Sequence, residues 1–123
     1  MQTTTRVSLL VLLAVCLTLA PAMALDGPVV TSPRPGEALQ GLVVITGSTD
    51  LAGYQSIEVS FNYLSGNPDT WFLIQQSRTP IREAALAVWD TTTIADGIYR
   101  LRVRVWLQDG KYSEVIISGL RVR

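Results

Sequence analysis

The sequence predicts an all-β protein: one antiparallel β-sandwich of about seven strands, preceded by an N-terminal signal peptide. Three observations carry this. Beyond residue 24 the apolar residues recur with period two, and no window sustains a 3.6-residue period. Turn residues break these runs at intervals of about 8–12 residues. The chain has 123 residues, which suits one small domain.

The leader comes first. Met1 to Arg6 is mostly polar with one positive charge, and Val7 to Ala20 is almost wholly apolar. Pro21 follows, then Ala22-Met23-Ala24, a small-x-small pattern that places cleavage after Ala24. A spanning helix needs about 20 apolar residues, and this run stops short at a helix-breaking proline. Residues 1–24 therefore read as a signal peptide and residues 25–123 as the exported domain, secreted, extracellular or periplasmic. Only an uncleaved leader would tie the chain to a membrane. Cys16 follows Val15, where a lipoprotein signal has a small residue, so it reads as apolar filler.

Arg6 is the leader's one charge, so residues 25–123 keep nine basic and ten acidic residues, a charge of −1. They contain no cysteine, so stability has to come from a packed core rather than disulfides.

Within the domain, Val29-Val30 runs into Ser32-Pro33-Arg34-Pro35-Gly36, a stiff turn. Leu42 to Thr46 is a short apolar strand ending at Gly47-Ser48. Gln55 to Leu64 alternates: Ile57, Val59, Phe61 and Tyr63 on one face, Glu58, Ser60 and Asn62 on the other. Ser65 to Asp69 is a loop by composition. Trp71 to Ser77 is a strand that stops before Pro80, and Leu86 to Asp90 is a short one. Ile81 to Val88 is too short and too closely flanked for a helix. Tyr99 to Gln108 alternates again, with Leu101, Val103, Val105 and Leu107 opposite Arg100, Arg102, Arg104 and Trp106. Asp109-Gly110 predicts a two-residue hairpin into the last strand, Tyr112 to Arg123, where Gly119 shifts the alternation as a bulge would.

Three segments carry a resemblance. They are Ser32-Pro33-x-x-Gly36 with Leu39-x-Gly41-x-Val43-x-Ile45-x-Gly47, then Trp89-Asp90-Thr91-Thr92, then Asp96-Gly97-x-Tyr99-x-Leu101-Arg102. In this order and spacing the chain, from about Pro28 to Arg123, resembles the bacterial immunoglobulin-like and fibronectin type III-like domains of secreted proteins. The resemblance implies a corner tyrosine at Tyr99, its hydroxyl bonded to nearby backbone. The chain departs from antibody domains in lacking the cysteine pair and a tryptophan on the third strand.

Composition removes much chemistry. There is no His and one Cys in the whole chain, which excludes Ser-His-Asp and Cys-His catalysis and a Cys-rich zinc site. A carboxylate-pair hydrolase needs two carboxyls facing each other across a cleft, but Asp69, Asp90, Asp96 and Asp109 fall at turns. No D-x-D-x-D-G calcium loop is present, which leaves a loop-end site at Asp50, Asp90 or Asp96 as the alternative to plain turn formation. Phosphate-cradling loops are absent, and the balanced charge gives nucleic acid no general attraction. The chain is expected to be no enzyme and to use no cofactor.

The distinctive feature is Arg100-x-Arg102-x-Arg104-x-Trp106, four side chains on one strand face. In a sandwich, Glu58, Ser60 and Asn62 would stand opposite. The plainer reading is a solvated face with cross-strand Arg–Glu pairs, each contributing about 0.2–1 kcal/mol. The functional reading is a binding face: Trp106 an exposed anchor, the arginines bidentate donors to carboxylate or sulfate. Trp71 and Phe72 point to opposite faces, and Trp89 is expected in the core. Trp71, Trp106 and Tyr54 or Tyr112 would form a sugar-stacking platform only if coplanar and exposed. The final strand is expected at an edge, free to pair with another chain unless Arg121 and Arg123 protect it.

The sequence thus predicts a non-catalytic module for extracellular binding, adhesion or assembly, with an extracellular protein or glycan as partner. The alternatives are a carbohydrate-binding module using exposed Trp and Arg, a subunit that self-associates through edge strands, and a small hydrolase.

Overall fold

A computed structural model describes residues 26–123. The signal peptide expected at residues 1–24, and Cys16 within it, lie outside the described residues. Eight strands are present, β1 (Val29–Ser32), β2 (Ala38–Leu39), β3 (Leu42–Ser48), β4 (Tyr54–Tyr63), β5 (Phe72–Ser77), β6 (Ala84–Asp90), β7 (Gly97–Leu107) and β8 (Tyr112–Val122). They form two sheets, a three-stranded one in the order β1-β3-β6 and a five-stranded one in the order β2-β8-β7-β4-β5. Seven of the strands are those the sequence marks. The eighth, β2, is two residues long and pairs in parallel with the end of β8, Ala38 opposite Arg121 and Leu39 opposite Val122. A pair of residues carries no alternation, so the pattern could not reveal it.

The core lies between the sheets and is built from the period-two residues. Ile45, Ala87 and Trp89 face in from the three-stranded sheet. Ile57, Val59, Leu101, Val103, Leu120 and Val122 face them from the five-stranded one. Each fully buried aliphatic side chain contributes roughly 1.5–3 kcal/mol relative to exposure. An aromatic group closes one end: Phe61 stands 5.2 Å from Trp89 and 5.5 Å from Phe72, and Tyr63 stands 4.8 Å from Tyr99, ring centre to ring centre. Trp89 is in the core as expected. Tyr99 is the expected corner residue, its hydroxyl donating to the Ala95 carbonyl at 2.5 Å.

One turn differs from simple expectation. The β7–β8 hairpin has a three-residue loop rather than two: the Leu107 N–H reaches the Lys111 carbonyl, and the Gly110 N–H closes back on Leu107. The extra residue lets Asp109 accept the Lys111 N–H at 2.9 Å. The Gly119 bulge is present. Tyr99 pairs with Leu120 but Leu101 with Ile117, so two β8 residues stand opposite one on β7. Gly119 has φ 72°, which an L side chain rarely adopts.

The end of β8 is not a bare edge. Arg121 N–H donates to the Glu37 carbonyl and Arg123 N–H to the Leu39 carbonyl, so the β2 segment covers it. The outer edge strands are β1 and β6 in one sheet and β2 and β5 in the other.

Candidate functional site

Neighbouring strands in register place directly opposed residues on the same face. On the outer face of the five-stranded sheet this builds four rows. Ser56, Trp106 and Tyr112 are aligned in the first. The second holds Gln76, Glu58, Arg104 and Glu114, and the third Leu73, Ser60, Arg102 and Ile116. In the fourth, Asn62 stands opposite Arg100. Trp71, just before β5, lies over this end, its ring 4.3 Å from the Arg102 guanidinium carbon and 5.5 Å from that of Arg100. All six residues singled out from the sequence (Glu58, Trp71, Arg100, Arg102, Arg104, Trp106) therefore share one surface.

That surface is less solvated than its polar composition suggests. Asn62 is fully buried and Ser60 nearly so, although both lie on the outward side of β4. The cause is the loop between β4 and β5. Asn62 Nδ2 donates to the Pro68 carbonyl at 3.1 Å, which holds the loop against the sheet. The Arg102 side chain is only 12% exposed. Trp106 is half-buried rather than the freely exposed anchor expected, and its Nε1–H donates to Glu58 Oε1 at 3.2 Å.

The two ends of the arginine row differ. At the Trp106 end the cation has a carboxylate partner, although the buried Nε of Arg104, like that of Arg102, has no hydrogen-bond partner. Arg104 Nη2 donates to Glu114 Oε1 at 3.1 Å and its guanidinium carbon lies 4.0 Å from the centre of the Tyr112 ring. At the Trp71 end the pairing is poorer. Glu114 reaches Arg102 only at 4.0 Å, and the buried Nε of Arg102 has no hydrogen-bond partner. Arg100 uses its Nε on Asn62 Oδ1 at 3.0 Å, and among the described residues no carboxylate lies within salt-bridge distance of it. Three arginines thus share two nearby carboxylates, and the surplus positive charge lies at Arg100 and Arg102. Burial, then the neighbouring Arg104, lower the Arg102 pKa, while Glu114 and Glu58 oppose the shift.

The aromatics do not form a sugar platform. Trp71 and Trp106 are at opposite ends of the row, and Trp106 meets Tyr112 edge to face at 62°. Tyr54 packs on the core instead, its hydroxyl donating to the Ser77 carbonyl.

Of the carboxylates the sequence places at turns, Asp90 and Asp109 have local partners. Asp90 accepts the Thr92 N–H and hydroxyl in a three-residue 3-10 turn, Thr91–Thr93, and Asp50 pairs with Arg82 at 2.8 Å. Among the described residues no three His, Cys, Asp or Glu side chains cluster closely enough to hold a metal ion. A shallow pocket of about 220 Å³ lined by Ala38, Leu39, Gln40 and Arg123 lies beside the end of β8. It contains a single charged side chain and no pair that could exchange a proton.

The strand orders β1-β3-β6 and β2-β8-β7-β4-β5, with the corner tyrosine on β7, define a β-sandwich of the fibronectin type III-like class. Among solved structures, the chain is similar to the fibronectin(III)-like modules of CbhA from Clostridium thermocellum. The likeness has a TM-score of 0.53 at 23% identity and covers 77% of this chain and 93% of the other. No protein-family model matches the chain, and no curated protein matches it.

Proposed function

We propose that the protein is an exported, non-catalytic β-sandwich module whose outer five-stranded face binds an extracellular partner. The observation that carries this is the third row of the face. Arg102, a partly buried cation whose nearest carboxylate stands off at 4.0 Å, lies between Leu73 and Ile116, two exposed apolar side chains. A charged donor with exposed apolar neighbours resembles the anchors that dominate protein recognition. Export rests on the leader, residues 1–24. The non-catalytic reading rests on the absence of His from the sequence and on the turn roles of the carboxylates.

The test is a titration of isotope-labelled residues 25–123 with a panel of acidic, basic and neutral peptides and oligosaccharides. Amide shifts are followed by NMR. The proposal expects shifts on β4, β7 and β8 around Ser60, Arg102 and Ile116. Shifts confined to the three-stranded sheet, or none with any ligand, would contradict it.

A further inference from the structure

The unneutralised end of the arginine row has a geometry of its own. Arg100 and Arg102 are two residues apart on β7, so their side chains leave the same face about 7 Å apart along the strand. Trp71 covers a face of the Arg102 guanidinium. The Arg102 Nε is buried, so its two terminal Nη groups are the ones left to match a carboxylate through two parallel bonds. Neither arginine is matched by a carboxylate of its own: Arg100 has none within reach, and Arg102 shares Glu114 at a distance longer than a hydrogen bond. The row through Arg102 ends on both sides in exposed apolar residues, Leu73 and Ile116.

We infer that this end of the face takes an extended acidic peptide segment with carboxylates at alternate positions, Glu-x-Glu or Asp-x-Glu, one on Arg100 and one on Arg102. An extended chain repeats every two residues by about 7 Å, so its alternate carboxylates meet alternate arginines without adjustment. Apolar residues beside the acidic pair settle on Leu73 or Ile116. Binding gives the Arg102 guanidinium the anionic partner its burial makes costly to lack, and this agrees with the lowered pKa of that group. This inference rests on the proposed binding role of the outer face and adds the class of partner.

Four fluorescent peptides of equal length provide the test on residues 25–123, by anisotropy at low salt. One carries two glutamates at alternate positions, one has them adjacent, one has them three apart, and one has glutamine at both. The alternate peptide is expected to bind at least tenfold tighter than any of the others. Arg102→Lys and Arg100→Lys keep the charge but lose the fork, and each is expected to weaken that peptide at least fivefold, measured below its melting temperature where the variant is folded. Because the peptide series uses the unaltered domain, it decides the matter even if a variant unfolds. Equal binding by the two-glutamate isomers would overturn the inference, since only general charge would then be at work. So would tighter binding of a galacturonate oligomer than of the alternate peptide, or no binding by any peptide. If those results came with NMR shifts on the outer face from another ligand, the proposed binding face would stand and only the acidic-peptide assignment would fall.

Discussion

At the scale of single residues, the informative ones are those whose polar atoms are out of water. Tyr99 is almost fully buried, and burial first, then Tyr63 and Asp96, push its phenol up to about 12. The unfolded chain loses this proton near pH 10 and the folded chain near pH 12. Tyr99 therefore stabilises the fold fully below pH 10, and this contribution is lost as pH rises from 10 to 12. The loss is on the order of 2–3 kcal/mol. Urea unfolding at stepped alkaline pH should show that decline. Tyr99→Phe should flatten most of it, leaving a residual slope from Tyr54, whose pKa burial also raises. Asn62 is the other such residue. Its amide ties the Pro68 carbonyl and its oxygen takes the Arg100 Nε–H. Asn62→Ala should cost about 1–3 kcal/mol, read as a lower denaturant midpoint, and speed hydrogen exchange in the loop before Trp71. The corner tyrosine was legible from Asp96-Gly97-x-Tyr99. The burial of Asn62 and Ser60 was not, because strand alternation assigns a face but cannot say that a loop folds over it.

At the scale of elements, the strands were legible wherever at least four residues alternate. That Glu58, Ser60 and Asn62 stand opposite the arginine row was also legible, but their register against Arg104, Arg102 and Arg100 was not. What alternation could not give was β2, whose role is to cover the end of β8. Gly47 reads in the sequence as a strand end, but it lies inside β3 for a steric reason. A Cβ there would stand 1.9 Å from the Val29 carbonyl oxygen of β1. Gly47→Ala should push β1 away from β3, costing about 1–3 kcal/mol. The check is hydrogen exchange, which should rise in β1 amides more than in β7 and β8. Protection lost equally everywhere would argue against a local steric cause.

At the scale of the whole molecule, the β-sandwich class followed from strand spacing, turn composition and chain length, and two facing sheets bear it out. The position of the candidate face followed as well, because four alternating residues on a central strand must share a side. Its division did not. Nothing in Arg-x-Arg-x-Arg-x-Trp distinguishes one end from the other. The difference arises because Glu114 on β8 sits opposite Arg104, while Asn62 and Ser60 sit opposite Arg100 and Arg102. In this account the Arg104–Trp106 end stabilises the fold and the Arg100–Arg102 end meets the partner.

The most direct test compares Arg104→Ala with Arg100→Lys in residues 25–123, measuring melting temperature and binding of the alternate-glutamate peptide on the same samples. Arg104→Ala should lower the melting temperature by roughly 4–8 °C for each kcal/mol lost and leave peptide binding within about twofold on the folded protein. Arg100→Lys loses its bond to the buried Asn62 oxygen and should lower the melting temperature too, but on the folded protein it should weaken binding at least fivefold. Binding lost on folded Arg104→Ala, or kept on folded Arg100→Lys, would contradict the division of the face.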